Sequence, residues 1–334
     1  MDLIIRFLVS LVPVVLFLFT LNYLDSFRLV RARSIFIAML VGVAVALVSL
    51  TINDLIMNQT GLSRSMTSRY VAPLIEETLK ASWVAWLMYR RRVGFMVDAA
   101  ITGFAVGTGF ALIENTYYLN VLESHNIGVW VVRGLGTAVM HGGMTAIYGI
   151  VTRTLIDRWG GRWSTYTPAL GTVIVLHSIY NHFILPPVTA TILLHIVLPT
   201  TLLLAFRASE RATRHWLGSQ MDVDAELLEI VESGSIGTSR IGFYTAEMQR
   251  QFDPEMVVDM LCYMRIHLEL AIAAKGLLMM REAGFKPPVP DGTREKFAEL
   301  KHLEKNIGIT GLLAIKPLLH KSTRDIWQIY QLDA

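Results

Sequence analysis

Long apolar stretches separated by short polar loops fill the first two thirds of the chain. A helix needs roughly 20 apolar residues to cross about 30 Å of hydrocarbon. Seven stretches approach or reach that length, at about 3–22, 35–52, 70–89, 99–122, 128–152, 166–185 and 188–206. The pattern therefore predicts an all-α fold, a polytopic membrane helix bundle with about seven transmembrane helices.

The pattern changes after residue 206, where charges become frequent and apolar residues recur at amphipathic helical spacing. Asp253-Pro254-Glu255 is a typical helix start, and Phe285-Lys286-Pro287-Pro288 a typical close of a helical hairpin. We expect a small core here, formed by Met256, Val257, Met260, Leu261, Met264, Leu312, Leu313, Ile315, Leu318 and Leu319. The predicted organisation is a transmembrane domain over 1–206, a linker over 207–224 and a helical cytosolic domain over 225–334.

Basic residues in the loops predict the orientation of the bundle, because Lys and Arg accumulate on the cytoplasmic side. Every odd-numbered helix is followed by three of them: Arg28, Arg31 and Arg33; Arg90, Arg91 and Arg92; Arg153, Arg158 and Arg162; Arg207, Arg211 and Arg214. The opposite loops carry fewer, chiefly Arg64 and Arg69. We expect a multi-pass protein of the cell membrane with its N-terminus outside and its C-terminal domain in the cytoplasm.

The composition agrees with a membrane protein and excludes several other classes. Of the 334 residues, 53% are hydrophobic and 17% are charged, and the mean hydropathy is +0.47. The single cysteine, Cys262, allows neither a disulfide framework nor a cysteine-based zinc site. The net charge of +3 is explained by the loop arginines, so we expect the lipid bilayer and no nucleic acid as a partner.

Polar residues interrupt four neighbouring predicted spans. A charged side chain at the middle of a membrane helix costs on the order of 3 kcal/mol on insertion scales, so such residues usually mark a function or a buried pair. The set comprises Glu76, Glu77 and Lys80 in the third span, Glu114 and Asn115 in the fourth, His141 in the fifth, and His177 and Asn181 in the sixth. Because each of the four spans contributes, the set predicts a shared polar site inside the bundle.

These residue types suit hydrolysis by an activated water. A glutamate in apolar surroundings can act as a general base near neutral pH, a histidine can order the water, and an asparagine amide can stabilise an oxyanion. Gly103 and Gly107 form a G-x-x-x-G face that would let the fourth helix approach a neighbour closely. Glu76 and Glu77 point a quarter turn apart, so one can face the chemistry while the other meets a neighbouring helix.

The sequence leaves the use of a metal open. Histidine and glutamate are zinc ligands. However, the chain has no His-Glu-x-x-His motif, and Asn181, four residues after His177, is a poor zinc ligand. We therefore expect no cofactor, with zinc or another divalent metal as the alternative.

Four short motifs occur in order along the chain: Glu76-Glu77-x-x-Lys80, Phe110-x-x-x-Glu114-Asn115, His141 in a glycine-flanked helix, and His177-x-x-x-Asn181. In order and helix placement they resemble the PrsW family of intramembrane proteases, related to the type II CAAX prenyl endopeptidases of the wider CPBP group. The resemblance covers roughly residues 1–206. It implies a glutamate-dependent peptidase that makes the first cut in a membrane-anchored protein, such as an anti-sigma factor.

The resemblance also implies residue roles. Glu76 would be the water-activating base, His177 and Asn181 would orient water and stabilise the oxyanion, and Glu77 would support them. Glu114 stands where the CAAX endopeptidases carry histidine, which leaves its role open and makes His141 a candidate for the missing imidazole. The expected site has six catalytic residues and two supporting ones: Glu76, Glu77, Glu114, His141, His177 and Asn181, with Lys80 and Asn115.

Other interpretations stay open at this point. The same carboxylates and histidines could relay protons in a coupled transporter or sensor, although no inverted repeat is visible. The bundle could also be an inactive scaffold whose cytosolic domain binds a partner. Taken one at a time, these residues could have purely structural roles. Glu76 and Lys80 could form an ion pair, and each histidine could be a hydrogen-bonded residue of the core.

Overall fold

A computed structural model describes residues 3–122, 124, 126–233, 240–319 and 332. Within these residues the secondary structure is helical and no strand occurs, which confirms the predicted all-α class. The helices are α1 (Leu3–Tyr23), α2 (Ala32–Thr60), α3 (Arg64–Met66), α4 (Ala72–Tyr89), α5 (Met96–Val121), α6 (Ile127–Val131), α7 (Val139–Trp159), α8 (Thr167–Asn181), α9 (Pro187–Ser233), α10 (Arg240–Gln251), α11 (Pro254–Glu282) and α12 (Thr293–Ile315).

Four helices of the described residues are long and apolar enough to cross a membrane, namely α1, α2, α5 and α9. The other three predicted spans coincide with α4, α7 and α8. The charged residues of α4 and α7 interrupt their apolar runs, and α8 has only 15 residues. A helical membrane bundle is confirmed, and the count of seven spans stays a prediction.

Helix α5 is buried between α2 and α7. Every residue from Val97 to Ala111 is buried, and the packing depends on residues without side chains. A Cβ atom at Gly103 would lie 2.4 Å from the carbonyl oxygen of Thr145, and one at Gly107 would lie 2.3 Å from that of His141. The predicted Gly103–Gly107 face is therefore confirmed, and it brings the backbone of α5 against α7 at the position of a site residue.

Two π-helical segments lead directly into site helices, Thr67–Val71 into α4 and Val132–Ala138 into α7. Such segments break the regular backbone ladder and often occur at functional sites. Around the first one, the carbonyl oxygen of Ser68 accepts a hydrogen bond from the amide of Asn181 at 2.8 Å. The start of α4 is thereby tied to the end of α8.

The chain divides into two compact units between Glu210 and Arg211. Helix α9 continues through this point, so residues 207–224, which we predicted to be a linker, are helical. In the second unit, α11 begins at Pro254 and pairs with α12, as the sequence predicted. Of the predicted core residues, Met260 and Ile315 are completely buried, whereas Leu313 is exposed to solvent.

Candidate active site

A cavity of about 340 Å³ lies at one end of the membrane unit. Its wall is built from the C-terminal ends of α2, α5 and α8 and the N-terminal ends of α4 and α7. Five of the eight predicted site residues line it: Glu76, Glu114, His141, His177 and Asn181. The other three, Glu77, Lys80 and Asn115, are buried behind the wall. The structure thus brings the predicted set together around one cavity.

Glu77 links two helices through a single carboxylate oxygen. Its Oε1 accepts hydrogen bonds from Lys80 Nζ at 2.6 Å and from His177 Nδ1 at 2.7 Å. The intrahelical ion pair therefore involves Glu77 rather than Glu76, the partner suggested by the four-residue spacing. Because the Nδ1–H of His177 points at Glu77, Nε2 is the nitrogen that carries the lone pair in the neutral ring. Carboxylates that orient a histidine in this way are common behind metal and catalytic histidines.

His141 is held from both sides of its ring. Lys80 Nζ lies 3.1 Å from Nδ1, and a carboxylate oxygen of Glu114 lies 2.8 Å from Nε2. An ammonium group has only donors, so Nδ1 must accept from Lys80 and Nε2–H must donate to Glu114. The role that the sequence left open for Glu114 has a structural answer, since its carboxylate fixes the tautomer of His141.

Of the adjacent Glu76 and Glu77, Glu76 is the one that faces the cavity. Its side chain is 9% exposed, against 1% for Glu77, and its nearest hydrogen-bond donor is the amide of Asn53 at 3.4 Å. The quarter-turn difference in direction expected for the two glutamates is present in the structure. Glu76 is thus the glutamate with room beside it for water and for a substrate.

Asn181 lies in the cavity wall, and its amide donates one of its two N–H groups to the carbonyl oxygen of Ser68. Beside it, the hydroxyl of Ser178 donates to the carbonyl oxygen of Arg69 at 2.6 Å. Both side chains therefore hold α8 against the first π-helical segment. This contact gives Asn181 a positioning role in addition to any that the resemblance implies.

Arg133 is a site residue that the sequence reasoning missed. Its guanidinium lines the cavity and lies 3.5 Å from the carboxylate of Glu114. Its Nε donates to the side-chain oxygen of Asn115 at 3.1 Å, and its plane stacks on Tyr118 with 3.7 Å from Cζ to the ring centre. Asn115, which we predicted to be a supporting residue, holds this arginine through that hydrogen bond. The sequence feature that could have identified Arg133 is that it is a single charged residue inside the fifth predicted span.

A continuous chain of ion pairs and hydrogen bonds runs through the buried part of the site. The order is Arg133, Glu114, His141, Lys80, Glu77 and His177. In a low-dielectric interior each such contact is stronger than in water, and the loss of one partner leaves the next uncompensated. The network therefore holds both imidazole rings in defined orientations at the cavity wall.

Glu76, His141 and His177 form a group that could hold a metal ion. One ligand atom from each lies within 4.8 Å of those of the other two, and all three residues are buried. A carboxylate and two neutral histidines suit zinc, and each ring already has a second carboxylate behind it. The donor set therefore fits a divalent cation. Because the Nε2–H of His141 is held by Glu114, this ring would offer Nδ1, and Lys80 would have to give up its hydrogen bond to that nitrogen.

Comparison with known proteins gives one family. A family model described as "PrsW family intramembrane metalloprotease" matches residues 29–206, which is more than half of the chain. The match includes all eight predicted site residues as well as Arg133. No curated protein matches the chain, and no solved structure matches it.

Proposed function

The chain belongs to the PrsW family of intramembrane metalloproteases and is a peptidase, and from that premise we propose that it cuts a membrane-anchored protein at the cavity of α4, α5, α7 and α8. One observation carries the proposal. Ligand atoms of Glu76, His141 and His177, from three different helices, meet within 4.8 Å at the wall of a cavity in an apolar bundle. Buried ionisable groups are costly in a membrane, so their convergence there supports chemistry rather than packing.

Glu76, His141 and His177 would hold a divalent cation such as zinc. When bound, such an ion makes water nucleophilic at neutral pH and polarises a carbonyl group. The family description favours this alternative over the cofactor-free site that we expected from the sequence. Glu77 and Glu114 would keep the two rings oriented, each by accepting the hydrogen of one ring nitrogen, which also makes the other nitrogen a better ligand.

Peptide hydrolysis requires two proton transfers, and Glu76 is suited to both. A carboxylate has two oxygens, so Glu76 can contact a cation with one and accept the proton of water with the other. The water oxygen then bonds to the carbonyl carbon, whose π electron pair moves onto the carbonyl oxygen. The proton held by Glu76 passes to the amide nitrogen, the electron pair on the oxyanion re-forms the C=O bond, and the C–N bond breaks. The products are a carboxylic acid and an amine, which exchange the remaining proton to give a carboxylate and an ammonium group.

The substrate would be a single-span membrane protein, such as an anti-sigma factor or another membrane-anchored regulator. If the arginine-rich loops are cytoplasmic, the C-terminal unit from Arg211 is cytoplasmic as well. The cavity wall includes Arg64 and Arg69 of the opposite loop, so the cavity would open toward the outside. A first cut in the outer part of an anchored regulator agrees with that orientation.

A cleavage screen tests this proposal. Candidate single-span membrane proteins would be reconstituted in liposomes with the wild type, with Glu76→Gln, or with Glu255→Gln. Glu255 is an exposed glutamate of the second unit and serves as the matched control. We expect one or more substrates to be cut by the wild type and the control but not by Glu76→Gln. Equal cutting by all three proteins would contradict the role of Glu76.

A further inference from the structure

The guanidinium of Arg133 is fixed rigidly at the cavity wall. Its Nε bonds to the buried side chain of Asn115, whose amide in turn donates to the carbonyl oxygen of Ser10 at 2.8 Å. Tyr118 covers one face of the guanidinium plane. The hydrogen bond at Nε and the ring packed on the guanidinium plane together restrict the side chain, so its remaining N–H groups point in fixed directions.

One of those groups lacks a hydrogen-bond acceptor. Nη2 of Arg133 is buried and makes no hydrogen bond within the described part of the chain. Its 3.5 Å separation from Glu114 Oε1 is an ion pair without hydrogen-bond geometry. Leaving a buried charged donor unsatisfied is unfavourable, and an acceptor brought by a bound molecule removes that cost.

Three other donors at or near the cavity are less suited to this contact. Asn181 gives one of its two amide N–H groups to the Ser68 carbonyl, and the remaining N–H is neutral, unlike the guanidinium of Arg133. Arg64 is exposed, so water screens its charge. The ammonium of Lys80 is buried behind the wall and bonded to both Glu77 and His141.

From these contacts we propose that Arg133 is a further catalytic residue, whose Nη2–H binds the carbonyl oxygen of the scissile peptide and the oxyanion formed from it. The inference rests on the proposed peptide hydrolysis. When the water oxygen bonds to the carbonyl carbon, the π pair becomes a full negative charge on oxygen. A fixed cationic donor stabilises that charge more than it stabilises the neutral carbonyl. The ion pair with Glu114 places Nη2 next to the carboxylate that orients His141, which is one of the three residues proposed to hold the ion.

The test uses the full-length protein and a substrate from the cleavage screen. Steady-state kinetics and zinc affinity by calorimetry are measured for the wild type, Arg133→Gln, Arg133→Lys and the control Arg294→Gln, which changes an exposed arginine of the second unit. Removal of one oxyanion donor typically lowers kcat by about 10²–10³-fold. We expect that loss in Arg133→Gln, with KM and zinc affinity within about threefold of the wild type and a control that stays near the wild type. Arg133→Lys keeps the charge without the fixed fork, so it should fold and recover part of the lost rate.

Other outcomes overturn the inference. A parallel loss of zinc affinity would mean that Arg133 acts only by holding Glu114 and His141. A change confined to KM would make it a substrate-recognition residue, and a rate near that of the wild type would remove it from catalysis. If Arg133→Gln does not fold, Arg133→Lys replaces it in the test. A wild-type rate in Arg133→Lys, or a change in its KM alone, would also overturn the inference. Failure of the wild type to cut any substrate in a Glu76-dependent way would instead contradict the proposed function itself.

Discussion

Gly107→Ala should disturb the site without changing any of its polar residues. A Cβ atom at position 107 would lie 2.3 Å from the carbonyl oxygen of His141 and 2.6 Å from Cα of Gly142. Ordinary van der Waals contact starts near 3.4 Å, so α5 and α7 must separate by about 1 Å at this level. The contacts are with backbone, which cannot rotate away as a flexible side chain can. His141 moves with α7 and loses its alignment with Glu114 and Lys80.

A displacement of that size can lower a catalytic rate by about 10²-fold. The assay compares kcat and zinc affinity of the wild type, Gly107→Ala and the control Gly171→Ala, with folding verified by circular dichroism. Gly171 is an exposed helical glycine of α8 whose added methyl meets nothing within 4 Å, so the control should keep its rate. A wild-type rate and zinc affinity in folded Gly107→Ala would refute the claim that the spacing of α5 and α7 sets the position of His141.

Two further predictions concern buried carboxylates. Glu77→Gln removes the partner of the fully buried Lys80, and breaking such a pair typically costs about 3–5 kcal/mol. Denaturant unfolding in mixed micelles measures this loss, which should be partly recovered by adding Lys80→Met; a single variant as stable as the wild type would contradict it. Asp25 lies in the loop after α1, where burial and the nearby Asp98 carboxylate raise its pKa to about 7. The folded state therefore binds more protons than the unfolded state between about pH 4 and 7, and the free energy of unfolding falls as the pH rises through that window. Asp25→Asn removes this dependence, so its stability relative to the wild type should increase from pH 5 to pH 8, and parallel stability curves would count against the assignment.

The sequence predicted the helical class and the members of the site because both follow from local pattern. Apolar runs of membrane length identify helices, and an ionisable residue inside such a run stands out. Glu76, His141 and His177 were identified in this way, and the structure brings them together at one cavity. The Gly103–Gly107 face likewise predicted a close helix contact, which occurs with α7.

The pairing inside the site could not be predicted, because it depends on which side chains of different helices meet. Spacing along α4 allowed Lys80 to pair with Glu76, whereas His177 arriving from α8 makes Glu77 the shared acceptor. Arg133 lies inside the fifth predicted span, in the π-helical segment before α7, and it was missed because arginines were interpreted only as loop charges that set the orientation. The linker expected over 207–224 stays a prediction: its residues are helical and continue α9, and the division between the two compact units falls within it.

If Glu76, His141 and His177 form a metal-dependent peptidase site, the cleavage rate must follow the amount of zinc bound to the protein. The wild type would be stripped with a strong chelator and then titrated with zinc, alongside folded Glu76→Gln. We expect the wild-type rate to disappear and to return as zinc approaches one ion per chain, while Glu76→Gln stays inactive throughout. A wild-type rate that survives chelation, or a Glu76→Gln rate equal to that of the wild type, would rule out such a site.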